Sequence, residues 1–219
     1  MTGKRNILGW EDMVGQRSGA FEVWFRAESK FLHRHIAKGA SVLEVGCGYG
    51  RSLLDISDIT KDLTGVDNDK VAVNHAKKSL RKFLKTRIIL AEGNKLPFES
   101  GTFDTVLCLT TFANLYEKKF KALAEMRRVL KEDGRVIISV YADNALKERM
   151  KLYKKINAEI KGVSPNGTVV FNQFNGYSEQ FSRSDLEKIF KKARLRPLAW
   201  KRVSIAHICM LSKLPDLRR

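Results

Sequence analysis

The fold is decided by the stretch Val42-Leu43-Glu44-Val45-Gly46-Cys47-Gly48-Tyr49-Gly50-Arg51. An apolar segment with strand character runs into a loop of alternating glycines, and helical spacing begins after Gly50. Glycines let the main chain turn sharply and let a ligand approach it closely, while a helix N-terminus offers free N–H groups. This arrangement predicts a site for a nucleotide-like ligand at the carboxyl edge of a parallel sheet.

Two other nucleotide-binding motifs fail on the residues of the chain. A Rossmann dinucleotide fingerprint counted from Gly46 needs glycine or alanine at the position of Arg51. A P-loop needs Gly-Lys-Ser or Gly-Lys-Thr, and neither tripeptide occurs in the sequence. Neither motif therefore describes this loop.

Downstream of the loop, short apolar runs alternate with helical spacing, which is typical of βα units around a mostly parallel sheet. The predicted strands are 41–45, 63–66, 87–90, 105–109, 135–141, 198–203 and 205–211. The predicted helices are 51–56, 70–83, 118–129, 145–160 and 185–193. Asp133-Gly134 is predicted to turn the chain into the fifth strand. Ser184 is the predicted N-cap of the last helix, with Glu187 completing a capping box.

The glycine loop resembles the first motif of class I S-adenosylmethionine (SAM)-dependent methyltransferases, E/D-x-G-x-G-x-G, at Glu44 through Gly50. Three later segments resemble further motifs of that family, in the order in which the family has them. These segments are 65–67, which ends in Asp67 at 23 positions after Glu44, then 91–106 and 120–138. The resemblance covers about residues 40–140.

The resemblance implies an α/β fold with a Rossmann-like, doubly wound sheet of seven strands. The implied strand order is 3-2-1-4-5-7-6, with the last strand antiparallel. A SAM-dependent methyltransferase domain is expected over 41–212, preceded by an N-terminal helical cap over 1–40. If the cap covers the site, Trp10 or Arg17 is expected near the cofactor or substrate; the alternative is a helix that only packs on the sheet.

The resemblance also implies which residues bind SAM. Asp67 is expected to accept hydrogen bonds from both ribose hydroxyls. Glu92, where the family usually has Asp, is expected to accept from the adenine amino group. The full set of expected cofactor residues is Glu44, Gly46, Cys47, Gly48, Asp67, Asn68, Glu92, Gly93, Cys108 and Leu109.

The acceptor side of the site is much less visible in the sequence. SAM carries an activated methyl group, and its transfer is an in-line displacement that needs alignment more than a strong base. The weak candidates for catalysis are Tyr177, Tyr141 and His207, and those for substrate binding are Asn114, Tyr116 and Tyr177. For His207, which lies in an apolar strand, the alternative is a hydrogen-bonded residue of the sheet.

Missing motifs narrow the expected reaction. The chain has no N-P-P-Y or D-P-P-Y after the fourth strand, no Pro-Cys dipeptide, and no carboxylate cluster after that strand. These absences favour a metal-independent enzyme. Leu96-Pro97-Phe98, together with the segment downstream, resembles the ubiquinone-biosynthesis-like group of these methyltransferases, and this resemblance implies a small-molecule acceptor. Two alternatives stay open: methylation of RNA or another macromolecule, and a SAM-binding module without catalysis.

The charge of the chain is strongly positive. Lys and Arg number 41 against 24 Asp and Glu, giving a net charge of +17, and residues 141–219 alone carry +10. Such a charge favours RNA or an acidic macromolecule as a partner, although exposed lysines can also simply solvate helices. Three widely spaced cysteines, the lack of a membrane-length apolar run and a polar N-terminus predict a cytoplasmic protein.

Overall fold

The computed structural model describes residues 19–83, 85–172 and 176–215 of the 219-residue chain. Its main feature is a seven-stranded sheet, here the large sheet. The strands of the large sheet are β1 (Val42–Val45), β2 (Leu63–Asp67), β3 (Arg87–Leu90), β4 (Phe103–Leu109), β5 (Leu130–Tyr141), β9 (Leu195–Val203) and β10 (Ala206–Lys213). Their order is β3-β2-β1-β4-β5-β10-β9, and β10 is antiparallel to both of its neighbours. The predicted order and the antiparallel last strand are confirmed.

The centre of the large sheet is buried on both faces, as parallel strands in α/β folds are. All four residues of β1 are buried, and β1 pairs in parallel with β2 on one side and β4 on the other. Because neighbouring parallel strands run in one direction, the loops that follow β1, β2 and β4 emerge at the same edge. The candidate functional site lies along that edge of the large sheet.

Among the described residues, six α-helices flank the strands or connect them. They are α1 (Ala20–His35), α2 (Arg51–Asp55), α3 (Lys70–Ser79), α4 (Lys119–Val129), α5 (Leu146–Lys155) and α6 (Arg183–Lys192). None of these helices combines the length and the apolar character that a membrane-spanning segment needs.

Helix α1 packs on the large sheet through aromatic side chains. Trp24 is fully buried, its Nε1 donates a hydrogen bond to Ser139 Oγ at 2.6 Å, and its ring lies edge-on to Tyr141 at 5.1 Å between centroids. The predicted cap over 1–40 thus includes a helix that packs on the sheet. Trp10 and Arg17 lie outside the described residues, so their predicted role stays a prediction.

Helix α6 begins earlier than the sequence predicts. The N-cap is Ser182 rather than Ser184, and Asp185 rather than Glu187 completes the capping box. Ser182 Oγ accepts from the Asp185 N–H at 3.1 Å, and the Asp185 carboxylate accepts from the Ser182 N–H at 3.2 Å. Each serine has a carboxylate three residues later, but Glu187 instead accepts a hydrogen bond from Arg183 Nε at 2.8 Å.

Strand β5 is longer than predicted at its start. The expected turn at Asp133-Gly134 is wrong, because residues from Leu130 onward are already strand. The extra residues are absorbed by a shift of register against β4, between Phe103 and Thr105. Two residue steps on β4 face five steps on β5, from Leu130 to Arg135, so three residues bulge out of the pairing without ending the strand.

A second, three-stranded antiparallel sheet follows α5, and we call it the small sheet. It consists of β6 (Ile160–Val163), β7 (Val169–Phe171) and β8 (Tyr177–Ser178), in that spatial order. The predicted helix over 145–160 is therefore too long: α5 ends at Lys155, and Asn157 has a left-handed backbone with φ of 52°. The small sheet was not predicted.

The small sheet is attached to the large one at the carboxyl edge. The Glu179 N–H, just after β8, donates to the Ala113 carbonyl at 2.8 Å. Tyr153 of α5 donates from its hydroxyl to Ser178 Oγ at 2.8 Å. These contacts hold β8 beside the loop that follows β4.

Candidate active site

A cavity of about 570 Å³ lies at the carboxyl edge of the large sheet, where the loops after β1, β2, β3 and β4 meet. Gly176 and Tyr177, at the small sheet, complete its wall. The predicted cofactor residues that line the cavity are Glu44, Gly46, Cys47, Gly48, Asp67, Asn68, Glu92, Gly93 and Leu109. The predicted substrate residues that line it are Asn114, Tyr116 and Tyr177. The structure thus brings both sets together in one cavity.

The glycine loop is shaped by backbone hydrogen bonds and by one close neighbour. The N–H groups of Gly46 and Cys47 both donate to the Val66 carbonyl, at 2.8 and 3.0 Å. Gly46 has φ of 75°, and a Cβ at this position would overlap the side chain of Thr111. Thr111 Oγ1 also donates to the Gly46 carbonyl at 3.1 Å. Glycine is required here both for the backbone conformation and for the space.

Asp67, at the end of β2, is tied to this loop. One of its carboxylate oxygens accepts from the Gly48 N–H at 2.8 Å, and the other accepts from the Asp69 N–H at 2.9 Å. Each oxygen of an ionised carboxylate has a second lone pair. The group is therefore held in place while it keeps the capacity to accept two further hydrogen bonds from a ligand.

Glu44 is almost fully buried below the loop, where it accepts a hydrogen bond from Ser52 Oγ at the start of α2. Glu92 lies on another wall of the cavity and is half exposed. Its Oε2 is 3.2 Å from Lys118 Nζ, which belongs to a 3-10 turn that lines the same cavity. An ion pair therefore links the loop after β3 to the segment after β4.

The charge of the cavity lining is opposite to the charge of the protein. Five acidic side chains line the cavity against two basic ones, in a chain of net charge +17. They are Glu44, Asp67, Asp69, Glu92 and Glu117 on the acidic side, and Arg51 and Lys118 on the basic side. Carboxylates grouped in this way favour a ligand that is positively charged and rich in hydrogen-bond donors. The residues present therefore fit SAM, which has a sulfonium, an ammonium, ribose hydroxyls and an adenine amino group.

A stacked pair of tyrosines forms another part of the cavity wall. The rings of Tyr116 and Tyr177 are parallel within 7°, with centroids 3.8 Å apart. Tyr116 has φ of 45°, a strained conformation for a residue with a side chain. Lys119 Nζ lies 5.6 Å from the centre of the Tyr116 ring and forms a mostly buried ion pair with Glu179 at 2.7 Å. These contacts join the 3-10 turn Tyr116–Lys118 to the small sheet.

The comparison with protein families decides what kind of domain this is. Residues 43–138 match the family described as methyltransferase domain. The matched span contains Glu44, Asp67 and Glu92 of the cavity. Residues 43–138 therefore match a methyltransferase domain of the class I SAM-dependent kind.

Curated relatives of the methyltransferase domain share part of their length with it. Sterol 4-C-methyltransferase strm-1 of Caenorhabditis elegans is 34% identical over 121 residues, which are 50% of this chain and 35% of that protein. Malonyl-[acyl-carrier protein] O-methyltransferase of Geobacter sulfurreducens is 31% identical over 134 residues, 59% of this chain and 50% of that protein. The chain thus spans half or less of the length of these two relatives.

Solved structures agree on the fold of the methyltransferase domain. The 1,6-didemethyltoxoflavin-N1-methyltransferase of Burkholderia thailandensis superposes with a TM-score of 0.69 over 89% of this chain and 80% of that chain. That crystal structure contains 1,6-didemethyltoxoflavin and S-adenosylhomocysteine (SAH). At 19% sequence identity, the likeness concerns the fold.

Two predicted site residues of the methyltransferase domain are buried in strands rather than on the cavity. Cys108 is fully buried in β4, and this burial raises the pKa of its thiol. Tyr141 is buried at the end of β5, and burial likewise raises the pKa of its hydroxyl. The structure does not bring either side chain to the cavity lining.

His207 has the contacts of a sheet residue. It is buried in β10, where its Nδ1 accepts a hydrogen bond from Trp200 Nε1 of β9 at 3.0 Å. Burial, together with the nearby charge of Arg202, lowers the pKa of the imidazole. The structure does not bring His207 to the cavity lining either.

Sequence reasoning missed Arg51 as a residue of the site. Arg51 lines the cavity and donates from Nη2 to Glu28 Oε1 at 2.6 Å. Its guanidinium also lies 4.6 Å from the centre of the Phe25 ring. Arg51 therefore connects the glycine loop to α1; its position directly after the loop was a usable signal.

In the described part of the chain, no three His, Cys, Asp or Glu side chains are grouped as metal ligands.

Proposed function

We propose that the protein is an enzyme that transfers the methyl group of SAM to a small-molecule acceptor without using a metal ion. The observation that carries this proposal is that the glycine loop and the Tyr116–Tyr177 pair line one cavity. SAM supplies an activated methyl group when bound, and the protein must align it with the acceptor and exclude water. The lining offers groups for both tasks.

In this proposal the two walls have separate tasks. The loop backbone at Gly46–Gly48 and the carboxylates of Glu44 and Asp67 hold the cofactor. The stacked Tyr116–Tyr177 pair binds the acceptor through the ring surface that the stack leaves uncovered, since aromatic rings offer a large and rigid apolar surface with a polar tip. Asn114 adds an amide that both donates and accepts hydrogen bonds. No general base is assigned.

The relatives support a small or prosthetic-group acceptor by their names, which specify a sterol and a malonyl group on a carrier protein. They differ in the atom that is methylated, carbon in one and oxygen in the other. The acceptor atom of this chain is therefore left open within the proposal. We place the enzyme in the cytoplasm, where its three free, buried cysteines are kept reduced.

Calorimetric titration of SAM and SAH tests the cofactor half of the proposal. We expect binding by the wild type and a loss of about 1–3 kcal/mol in Asp67→Ala, because a charged acceptor of buried hydrogen bonds is removed. Asp62→Ala is the matched control, since Asp62 is exposed just before β2, and it should bind like the wild type. No binding by folded wild type would refute the proposal.

The acceptor half is tested with methyl-labelled SAM. The protein is incubated with extract fractions separated into small molecules, RNA and protein. Label in the small-molecule fraction, lost in Asp67→Ala, supports the proposal. Binding of SAM with label in no fraction would instead favour a SAM-binding module without catalysis.

RNA is the second candidate acceptor, and one surface favours it. Helix α5 carries four exposed lysines, Lys147, Lys151, Lys154 and Lys155. This helix contacts the small sheet, since Tyr153 packs edge-on against Phe171. Label in the RNA fraction, with retention on RNA that falls steeply as salt rises, would favour this candidate.

A further inference from the structure

The ion pair between Glu92 and Lys118 crosses from one wall of the cavity to another. Glu92 follows β3, whereas Lys118 ends the 3-10 turn before α4, and both side chains line the cavity. Lys118 Nζ lies 3.2 Å from Glu92 Oε2. The other carboxylate oxygen, Oε1, has no hydrogen-bond partner among the described residues. One oxygen is thus occupied and the other is available to a ligand.

This pair contributes little to folding. The side chains of Lys118 and Glu92 are 58% and 49% exposed, and ion pairs that are so open to water add almost nothing to stability. We therefore expect the Glu92–Lys118 ion pair to act in ligand binding. A ligand that covers the pair excludes water and strengthens the interaction, since charge–charge and charge–dipole energies rise as the local dielectric falls.

The Glu92 carboxylate can occupy several positions, and Lys118 restricts them. A glutamate has one more rotatable bond than the aspartate usual at this position in the family, so its carboxylate has more positions to choose from. A cation bound to one oxygen limits these positions. We propose that Lys118 is a positioning residue, which fixes the Glu92 carboxylate so that its free oxygen receives the 6-amino group of the cofactor's adenine. This inference rests on the proposed SAM site.

A positioning role for Lys118 predicts an effect on base selectivity that a purely structural role does not predict. A carboxylate held in place accepts a hydrogen bond from a 6-amino purine and repels the carbonyl oxygen of a 6-oxo purine. Lys118 should therefore affect the selectivity between the two bases, and not only the affinity. The ratio of affinities for SAH and its 6-oxo analogue, S-inosylhomocysteine, measures this selectivity without any methyl transfer.

Both compounds are titrated into the full-length wild type, Glu92→Gln, Lys118→Met and Lys118→Arg. We expect the wild type to prefer SAH by at least about tenfold, as expected for one hydrogen bond to a charged group. Glu92→Gln should abolish or reverse the preference, because its amide can donate to the 6-oxo group. Lys118→Met should reduce the preference by about threefold to fivefold, and Lys118→Arg should retain it, since arginine keeps the charge-assisted hydrogen bond.

The control variant is Lys121→Met, which removes an exposed lysine from the first turn of α4; it should leave both affinities unchanged. The inference is overturned if Lys118→Met lowers both affinities equally, leaves the ratio unchanged, or tightens SAH binding. The last result would make Lys118 a competitor of adenine for Glu92. Failure of the wild type to bind SAH would refute the SAM site itself, which is a separate outcome.

Discussion

The two walls of the cavity are built in different ways. The wall that we propose to bind the cofactor, here the cofactor wall, consists of residues at or just after the ends of β1, β2 and β3. Main-chain hydrogen bonds such as those from Gly46 and Cys47 to Val66 set its shape. The wall that we propose to bind the acceptor, here the acceptor wall, is assembled from distant segments by side-chain contacts. Among these contacts are the Tyr116–Tyr177 stack and the Lys119–Glu179 ion pair. A wall made of backbone tolerates few substitutions at its glycines, whereas a wall made of side chains can be altered without changing the other.

The largest expected effect is at Gly46 in the cofactor wall. Gly46→Ala should reduce SAH affinity by about 2–3 kcal/mol, because the new Cβ is both strained and in overlap with Thr111. Gly39→Ala is the matched control: Gly39 has nearly the same φ, 76° against 75°, but no neighbour within 4 Å. It should lower the free energy of unfolding and leave SAH binding unchanged. Wild-type affinity in folded Gly46→Ala would show that the cofactor wall is not rigid.

Replacement of a buried arginine near the acceptor wall should lower the stability of the protein without changing cofactor binding. Arg149 of α5 is fully buried, donates to the carbonyls of Gly167 and Ser178, and lies over the Tyr141 ring at 4.8 Å. Arg149→Met leaves these carbonyls without a donor, so we expect a loss of about 2 kcal/mol in the free energy of unfolding.

Hydrogen exchange should become faster in the small sheet of Arg149→Met, while SAH affinity stays within about twofold of the wild type. Lys151→Met on the exposed face of the same helix controls for the loss of a positive charge. If SAH affinity falls together with stability, the two walls are not independent.

Removal of one tyrosine should affect the acceptor alone. Once an acceptor is known, Tyr177→Leu should raise its KM by a factor that corresponds to about 1 kcal/mol, through loss of ring stacking. SAH affinity should stay unchanged, and Tyr177→Phe should retain most of the acceptor binding. Equal losses for cofactor and acceptor would contradict the division of the cavity into two walls.

The smallest effect is expected at the opposite edge of the large sheet, below the cofactor wall. Burial alone would raise the pKa of Asp104, but hydrogen bonds from Lys131 and Ser41 outweigh it and lower the pKa to about 2. A lowered pKa stabilises the fold above the ordinary value near 3.8, and this contribution is lost as the pH falls towards 2.

The contribution of Asp104 is roughly 1 kcal/mol or less, because its side chain is 42% exposed. Urea unfolding should show Asp104→Asn less stable than the wild type near neutral pH, and the gap should close in acid. A gap that persists at low pH would assign the effect of Asp104 to packing rather than to its charge.

The difference between the walls also explains what could be predicted from the sequence. The cofactor wall was predictable because each of its residues is adjacent in sequence to a strand that its own apolar pattern reveals, as Glu44 and Asp67 are. The order of the strands follows from the same repeated βα units. Cys108 shows the limit: its neighbour Leu109 lines the cavity, and a single step along a strand turns a side chain to the other face.

The acceptor wall was predictable only in part: its candidates Asn114, Tyr116 and Tyr177 line the cavity, but their mutual contacts form only in the tertiary structure. Tyr177 was a candidate from the sequence, but nothing in the sequence indicated that it stacks on Tyr116. The small sheet was missed because its strands are only two to four residues long and give no clear alternation. The N-cap of α6 was misplaced because Ser182 and Ser184 are chemically equivalent, so only the geometry of Asp185 distinguishes them.

The acidic cavity in a basic protein has a consequence for turnover. In the proposed reaction, methyl transfer converts a sulfonium cation into a neutral thioether, so the ligand loses one positive charge while it is still bound. Five carboxylates around that ligand attract the charged form more than the neutral one. We therefore expect this lining to bind the neutral product more weakly than the charged methyl donor, which favours exchange of product for donor. This preference is electrostatic, and it should weaken as salt screens the carboxylates.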